Sequence, residues 1–545
     1  METTFSFIDY AVFVIYGLII IGMGLWVSRD KKGHVKDSSD YFLASKSLPW
    51  WAIGASLIAS NISAEQFIGM SGSGFAIGMA IASYEWMAAA TLIIVGKYFL
   101  PIFLEKKIFT MPQFLEVRYD GRVRTGLALF WLLVYVFVNL TSVLYLGALA
   151  METIMGVPMM YGIIGLALFA AIYSIYGGLT AVAWTDVVQV VFLIGGGLIT
   201  TYLALDAVSD GHGAIAGFCE LIEKLGPNGT LGNKFNMILE KGELMISNGN
   251  GGTKDAYLDL PGLGVLVGGM WVANLSYWGF NQYIIQRGLA AKSVKEAQRG
   301  MIFAGYLKIL IPLIVVIPGI VAYLLTLESG TLLAPADRAY PWLLHSFVPT
   351  GIKGLAFAAL AAAIVSSLAS MLNSTATIFT MDIYTRLIDK KASEVKKVRV
   401  GRLTSGIALI IAVIAARPLL GGLDQAFQFI QEFTGMITPG VLVIFALGMF
   451  WKRASANAAV WVAILTIPLG FIFKFAFPEI PFIDRMGYVC LILASILVGI
   501  SLIESKENSP KAIDFEKGLF HTGRAFNIGA IGIGLILVFL YYIWW

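Results

Sequence analysis

SNISAEQFIGMSGSG, residues 60–74, is the stretch that decides the fold. It sits inside an otherwise apolar run from 50 to 75 and carries Asn61, Ser63, Glu65, Gln66 and three glycines to bilayer depth. An unbroken helix facing lipid does not tolerate that load of polar groups. A helix interrupted near the midplane and lining a watery cavity does. Its freed carbonyls can hold a cation, and its freed amides and polar side chains a solute. Close packing of small residues accounts for the glycines but leaves Glu65 and Gln66 without a reason.

The surroundings agree with a lipid solvent. Hydrophobic residues make up 58% of the 545 and charged residues 13%, about half the charged share of a soluble domain. So few charges cannot cover the apolar surface of a water-soluble chain of this size. Fourteen apolar stretches are expected to span, at 8–28, 50–75, 77–104, 123–154, 158–177, 182–206, 261–285, 299–327, 350–381, 401–420, 423–451, 456–477, 484–504 and 525–544. All read as helices, because none shows the strict alternation of a membrane β-strand. The first is long enough to cross and runs into Arg29-Asp30-Lys31-Lys32, a stop-transfer flank, so it reads as a retained helix and not a secretion signal. With the N-terminus outside, the inner loops hold 27 Lys and Arg against seven in the outer loops. Both termini are therefore expected outside the cytoplasm. The longest loop, 207–260, is Gly- and Asn-rich (SNGNGGTK, 247–254) and reads as a partly ordered outer cap. The net charge of +4 is scattered over loops and forms no nucleic-acid face. Cys219 and Cys490 support neither a disulfide framework nor a cysteine metal site.

A second polar interruption, VANLSYWGFNQ (272–282), opens the second half with Asn274, Ser276, Tyr277, Asn281 and Gln282. Two interrupted spans, each opening a group of five, is the pattern of an inverted repeat, 50–206 pairing with 261–451. Glu85, Asp186, Lys308 and Glu432 are isolated ionisable groups within apolar runs, each costing about 2.5–3.5 kcal/mol at a span centre. The run 350–381 is rich in Ala and Ser. Small residues there favour close packing, and the Ser366 and Ser367 hydroxyls can also serve a hard cation. A channel would show repeated pore-lining rings, and an intramembrane enzyme a nucleophile–base pair or a metal cluster. Neither is evident, so no enzyme is expected.

YGGLTAVAWTD (176–186), ANLSYWGFNQYIIQR (273–287) and AAAIVSSLASMLNSTATIFTMDIY (361–384) resemble the sodium:solute symporter family over essentially the whole chain. The nearest pattern is the sodium/glucose branch, which includes bacterial sodium/galactose carriers. The resemblance implies an all-α membrane protein with the inverted-repeat fold of the leucine transporter: five plus five helices, one before and three after (456–544). It implies a sodium site at the carbonyls of Ala59, Ile62 and Ala363 and the hydroxyls of Ser366 and Ser367, with Asp186 just beyond. It implies a sugar site at Asn61, Ser63, Gln66, Glu85, Asn274, Lys308 and Gln431. Tyr277 would be the inner gate and aromatic platform, and Met70, Tyr84 and Phe427 the outer gate. Sodium is the coupling ion expected, with no other cofactor, and the partners are sodium, a small sugar and the bilayer of a plasma membrane, such as a bacterial inner membrane. Amides, a carboxylate, an amine and an aromatic ring suit the hydroxyls and C–H faces of a hexose. They suit proline, pantothenate, iodide or sialic acid less well, and a sodium symporter of the same family for one of these or for myo-inositol is the alternative expectation. The family's galactose-transporting pattern has a serine three residues after the glutamate of ASYEWMAAA, where this chain has Ala88. Alternating access is the expected mechanism, with the unwound segment 60–70 held by sodium against the serine-rich span.

Overall fold

The computed structural model describes residues 5–29, 37–248, 252–331, 333–420 and 426–545. Most of the basic flank expected after the first span, Asp30 to Lys32, and part of the Gly/Asn tract lie outside the described residues. Among those described, ten helices are long and apolar enough to cross a membrane, or twelve if each of two bent pairs is one span. The pairs Ala256–Val267 with Gly269–Phe280 and Phe427–Gly435 with Thr438–Phe450 are bent by 78° and 47°.

Burial sorts the helices into centre and periphery. The most apolar window of Ile352–Ile388 is 94% buried inside the protein, against 17% for Phe7–Val27 and for Arg524–Ile543. The small Ala and Ser side chains of the former let neighbours close on it from every side. The first helix packs Phe13 against Phe357 of it and is also tied to it by a polar contact. Asp9 is fully buried and accepts the Gly351 and Gly354 amides at 2.7 and 2.8 Å, setting a carboxylate on the positive N-terminus of Ile352–Ile378. Residues 159–208, expected as two spans, form one helical run kinked at Gly178, where φ is +64°. A Cβ there would sit 2.3 Å from the Tyr41 carbonyl oxygen, so glycine both permits the kink and admits the neighbouring chain.

Val294–Ser329 packs along both pieces of the interrupted second stretch. At Gly319 a Cβ would lie 2.1 Å from the Ser71 carbonyl, and at Gly74 2.8 Å from that of Val316. Neither side tolerates a side chain, so this pair of elements is locked in register.

The 207–260 loop folds as a helix, Ala214–Leu225, and a hairpin pairing Met245–Ser247 with Thr253–Asp255. It is pinned by Lys234, whose Nζ donates to the Ala76 carbonyl at 2.6 Å and lies 4.3 Å from the Tyr323 ring centre. The Lys234 carbonyl in turn accepts the Met79 amide at 2.7 Å. Burial pushes the Lys234 ammonium down to about 8 from the ordinary 10.5. The docked loop therefore favours the neutral amine, and docking gains stability as pH rises from about 8 towards 10.5. Proteolysis within 207–260 is expected to slow between pH 7 and pH 9.5, and Lys234→Met to remove that dependence. Equal rates at both pH values would contradict it.

Two basic residues counted above as inner-loop charges are buried instead. Arg118 donates to the Gly448 and Trp451 carbonyls at 2.6 and 3.1 Å. Arg287 faces the protein interior, 3.8 Å from Asp186. A basic side chain just past a span end has two fates, water or a carbonyl or carboxylate inside, and loop counting assumes the first. Removing both still leaves the inner excess standing.

Candidate functional site

The first interruption is a capped restart. Trp50–Asn61 ends at Ile62, which is extended with ψ 108°. The Ser63 hydroxyl then accepts the Glu65 amide at 3.0 Å, and Gln66 Oε1 accepts the Ser63 amide at 2.9 Å. The Gln66 reach-back is the returning half of a Ser-x-x-Gln capping box, while the Ser63 hydroxyl takes the Glu65 amide in place of that of Gln66. Winding resumes as a π-helical turn, Glu65–Met70, and then an α-helix, Ser71–Ala76. The break is thus Ile62 to Ala64, shorter than the 60–70 expected. The second interruption is at Asn281 (φ −80°, ψ 122°), between Gly269–Phe280 and Gln282–Leu289. Its Oδ1 accepts the Tyr135 hydroxyl at 2.5 Å.

Between the two breaks lies a cavity enclosing about 990 Å³, including the part open to solvent. Asn61, Gln66, Glu85, Asn274, Lys308 and Gln431 line it, with Tyr84, Tyr277 and Phe427, and Ala88 is also on its wall. The structure does not bring Ser63 or Met70 to that wall. Ser63 is committed to its cap, and Met70 is fully buried at the end of the π-helical turn.

Lys308 is the centre of the polar network. It is 1% exposed, donates to Glu85 and to Asn61 Oδ1, and lies 5.2 Å from the Trp278 ring centre. Asn61 Nδ2 donates to the Tyr277 hydroxyl at 2.8 Å, and that hydroxyl is hydrogen-bonded to Tyr283. At the other end Phe427 meets Tyr84 edge-on, with ring centres 5.3 Å apart. Phe427 reaches there because Gly69 has no side chain: a Cβ would lie 2.8 Å from the Phe427 Cβ.

Beside the first break, the serine-rich helix comes within hydrogen-bonding distance. The Ser367 hydroxyl donates to the Ser60 carbonyl at 3.0 Å, with the Ile62 carbonyl 3.4 Å away. Ser366 donates to Asp186 at 2.5 Å, as does Ser56. Ala59 and Ala363 are fully buried on the same two helices. Carbonyl and hydroxyl oxygens brought together in this way suit a hard monovalent cation, with no thiolate or imidazole in the set.

Sequence reasoning named Glu65 and Ser276 only as polar interruptions, without a place in the site, and passed over Asn139. Glu65 lines the cavity and accepts from Ser142. Asn139 and Ser276, also on the wall, keep a buried oxygen with no partner among the described residues. Polar residues inside VFVNLTS (136–142) were a usable signal for the first group. Arg287 gave none, because its position resembles that of any basic residue after a span. Glu432 is held by Lys474 and Arg485 at 3.0 and 2.8 Å and does not reach the cavity.

Comparison with known proteins gives a family, close relatives and a similar solved structure. The sodium:solute symporter family profile matches residues 41–466. A sodium/glucose cotransporter of Vibrio parahaemolyticus is 54% identical over 100% of this chain and 99% of its own. Sodium/glucose cotransporter 1 of Oryctolagus cuniculus is 34% identical over 85% of this chain and 71% of its own. Among solved structures, a sodium-coupled sialic acid symporter in a substrate-bound, outward-open state gives a TM-score of 0.77. It is 25% identical and covers 91% of this chain and 98% of that one.

Proposed function

The chain belongs to the sodium:solute symporter family, and on that premise we propose that it carries a hexose inward with sodium by alternating access. The observation that carries the choice of solute is the closed charge balance of Lys308. Its ammonium is already matched by Glu85 inside the cavity, so no free cation awaits an anionic solute such as sialate or iodide. Besides the Glu65 carboxyl, which Ser142 holds, what remains on the wall is bifunctional: the Asn61, Gln66, Asn274 and Gln431 amides, with Tyr277 as an apolar face. Hydroxyl groups that donate and accept satisfy such a set, and a wrong epimer leaves a buried group unpaired at about 1–3 kcal/mol.

Counting the interrupted stretch 50–76 and the shorter helix Met159–Ile172 as spans gives the fourteen of the inverted-repeat reading, with 8–28 before the repeats and 456–544 after. The excess of Lys and Arg in the inner loops supports both termini on the outer side of the membrane. Sodium from outside would bind the Ala59, Ile62 and Ala363 carbonyls with Ser366 and Ser367, holding the capped break against the serine-rich helix. Asn61, on the last turn before that break, then stands in place for the solute. Sodium favours this state only through its higher affinity for it. One sodium crossing 100 mV supplies about 2.3 kcal/mol and a tenfold gradient about 1.4 more, together enough for a sugar gradient of roughly several hundredfold.

Exchange of labelled glucose from preloaded proteoliposomes tests the solute. External hexoses are expected to compete, and proline, pantothenate and sialate not to. Competition by any of those without competition by hexoses overturns the reading. Ser367→Ala removes a hydroxyl that binds a charged group, an interaction worth about 1.5–3 kcal/mol. The sodium half-saturation is expected to rise about tenfold or more with folding unchanged, and an unaltered sodium response contradicts that site. Ala88→Ser adds one neutral hydrogen bond at the wall, and should shift preference towards galactose by about fivefold. An unchanged galactose-to-glucose ratio would show that position 88 does not touch the sugar.

A further inference from the structure

Two carboxylates stand on the wall of the central cavity, and they are not equally provided for. Glu85 has the Lys308 ammonium. Glu65 has no basic partner among the described residues, and the one side chain there that reaches its carboxylate is Ser142. The Ser142 hydroxyl also lies 2.9 Å from the Asn139 carbonyl. One hydroxyl proton thus faces two acceptors, and a carboxylate with about four lone-pair positions is left short of donors. Two more oxygens on the same wall share that lack. Asn139 is 6% exposed and Ser276 fully buried, yet Asn139 Oδ1 and Ser276 Oγ have no partner among the described residues.

We propose that this cavity also takes a cationic amino hexose, a sugar with one hydroxyl replaced by an ammonium, and that Glu65, Asn139 and Ser276 receive the ammonium. The proposal rests on the hexose reading and adds a substrate class to it. A carboxylate kept from water without a counter-ion is costly, and a buried charge is ordinarily paired. An ammonium brings the missing charge together with three donors and no acceptor, which complements a set of oxygens that lacks donors. A neutral hydroxyl in the same place brings one donor and no charge. The exchange asks for no new space, because an ammonium is about the size of the hydroxyl it replaces. The remaining hydroxyls and the C–H face keep the amides and the aromatic ring described above. Charge also sets the sign of selection. The carboxylate that welcomes an amino sugar repels a sugar acid, so the cavity discriminates between cationic and anionic derivatives of one ring.

Sodium-driven uptake of labelled glucosamine and labelled glucose into proteoliposomes of the full chain tests this. Wild-type protein is expected to accumulate both. Unlabelled glucosamine should inhibit glucose uptake about tenfold more strongly than the neutral deoxyglucose lacking the same hydroxyl, as hydrogen bonds to a charged group predict. Glu65→Gln keeps the shape and removes the charge. It is expected to raise the ratio of the glucosamine KM to the glucose KM about tenfold, while Glu65→Asp, which keeps the charge, holds that ratio nearer the wild-type value. A structural role for Glu65 would shift both KM values by one factor, and that result overturns the proposal. The wild-type arm does not depend on any variant folding. Uptake of glucose without glucosamine overturns the amino-sugar site and leaves the hexose reading standing; uptake of neither removes the hexose reading and the proposal with it.

Discussion

Lys308→Met is expected to abolish sodium-driven hexose uptake and to destabilise the protein, while Lys308→Met with Glu85→Gln restores stability and leaves uptake lost. Lys308 and Glu85 are almost completely buried and face each other across two helices, Val294–Ser329 and Ser83–Ile94. Removing the lysine strands a carboxylate in a low-dielectric wall, a change of about 3–5 kcal/mol for a broken buried pair. Neutralising both partners lifts that penalty, since replacing a whole buried pair is often close to neutral. Transport still fails, because the doubly substituted cavity has lost both the ammonium donor and the carboxylate acceptor and the Asn61 amide has lost its anchor. Thermal unfolding separates the two effects. If the double variant transports normally, the pair is structural and the sugar does not meet it.

The second large effect is expected at Arg287, on the route from the proposed cation site to the proposed inner gate at Tyr277. Arg287 is fully buried and donates to Ser56 at 3.2 Å, to the Tyr283 carbonyl and to Ser370. Ser56 and Ser366 both donate to Asp186. Hydrogen bonds therefore run from Ser366 through Asp186 and Ser56 to Arg287, which holds the Tyr283 carbonyl, while the Tyr283 hydroxyl at the far end of that side chain bonds Tyr277, which joins Asn61 and Lys308. Arg287→Met leaves Asp186 without its cation, again about 3–5 kcal/mol, and should cost most of the transport activity. Arg287→Lys keeps the charge, but one ammonium cannot span the acceptors that the planar guanidinium serves. It is expected to keep the fold and raise the sodium half-saturation several-fold. A wild-type sodium response in Arg287→Lys would show that the chain of bonds does not report on the cation site.

How much of this was legible in the sequence differs from residue to residue. The break at 60–74 was plain because polar groups at bilayer depth have few explanations. Its inner structure was less so. Ser63 and Gln66 stand in the spacing of a capping box, and the same two side chains also suit a sugar. The cap claims Ser63, while Gln66 keeps its place on the cavity wall. Lys308 was conspicuous from its depth alone, but its partners were not, since Glu85 is 223 residues away. That distance is closed by helix packing that hydropathy does not encode. Arg287 was misread for the opposite reason. The helix restarts at Asn281 and carries it inward, so a residue that looks like a loop charge becomes a buried one. The serine-rich helix showed its role as the packed centre through its small side chains.

The central claim is coupling of sodium to hexose, and one measurement meets it directly. Proteoliposomes containing the full chain are loaded with potassium and diluted into labelled glucose or galactose, with sodium or potassium outside and the membrane potential clamped at zero. Inward sodium should drive hexose accumulation well above the external concentration, with collapse to equilibrium when sodium is equal on both sides. Equal uptake in sodium and potassium, or uptake that never exceeds equilibrium, would contradict the account.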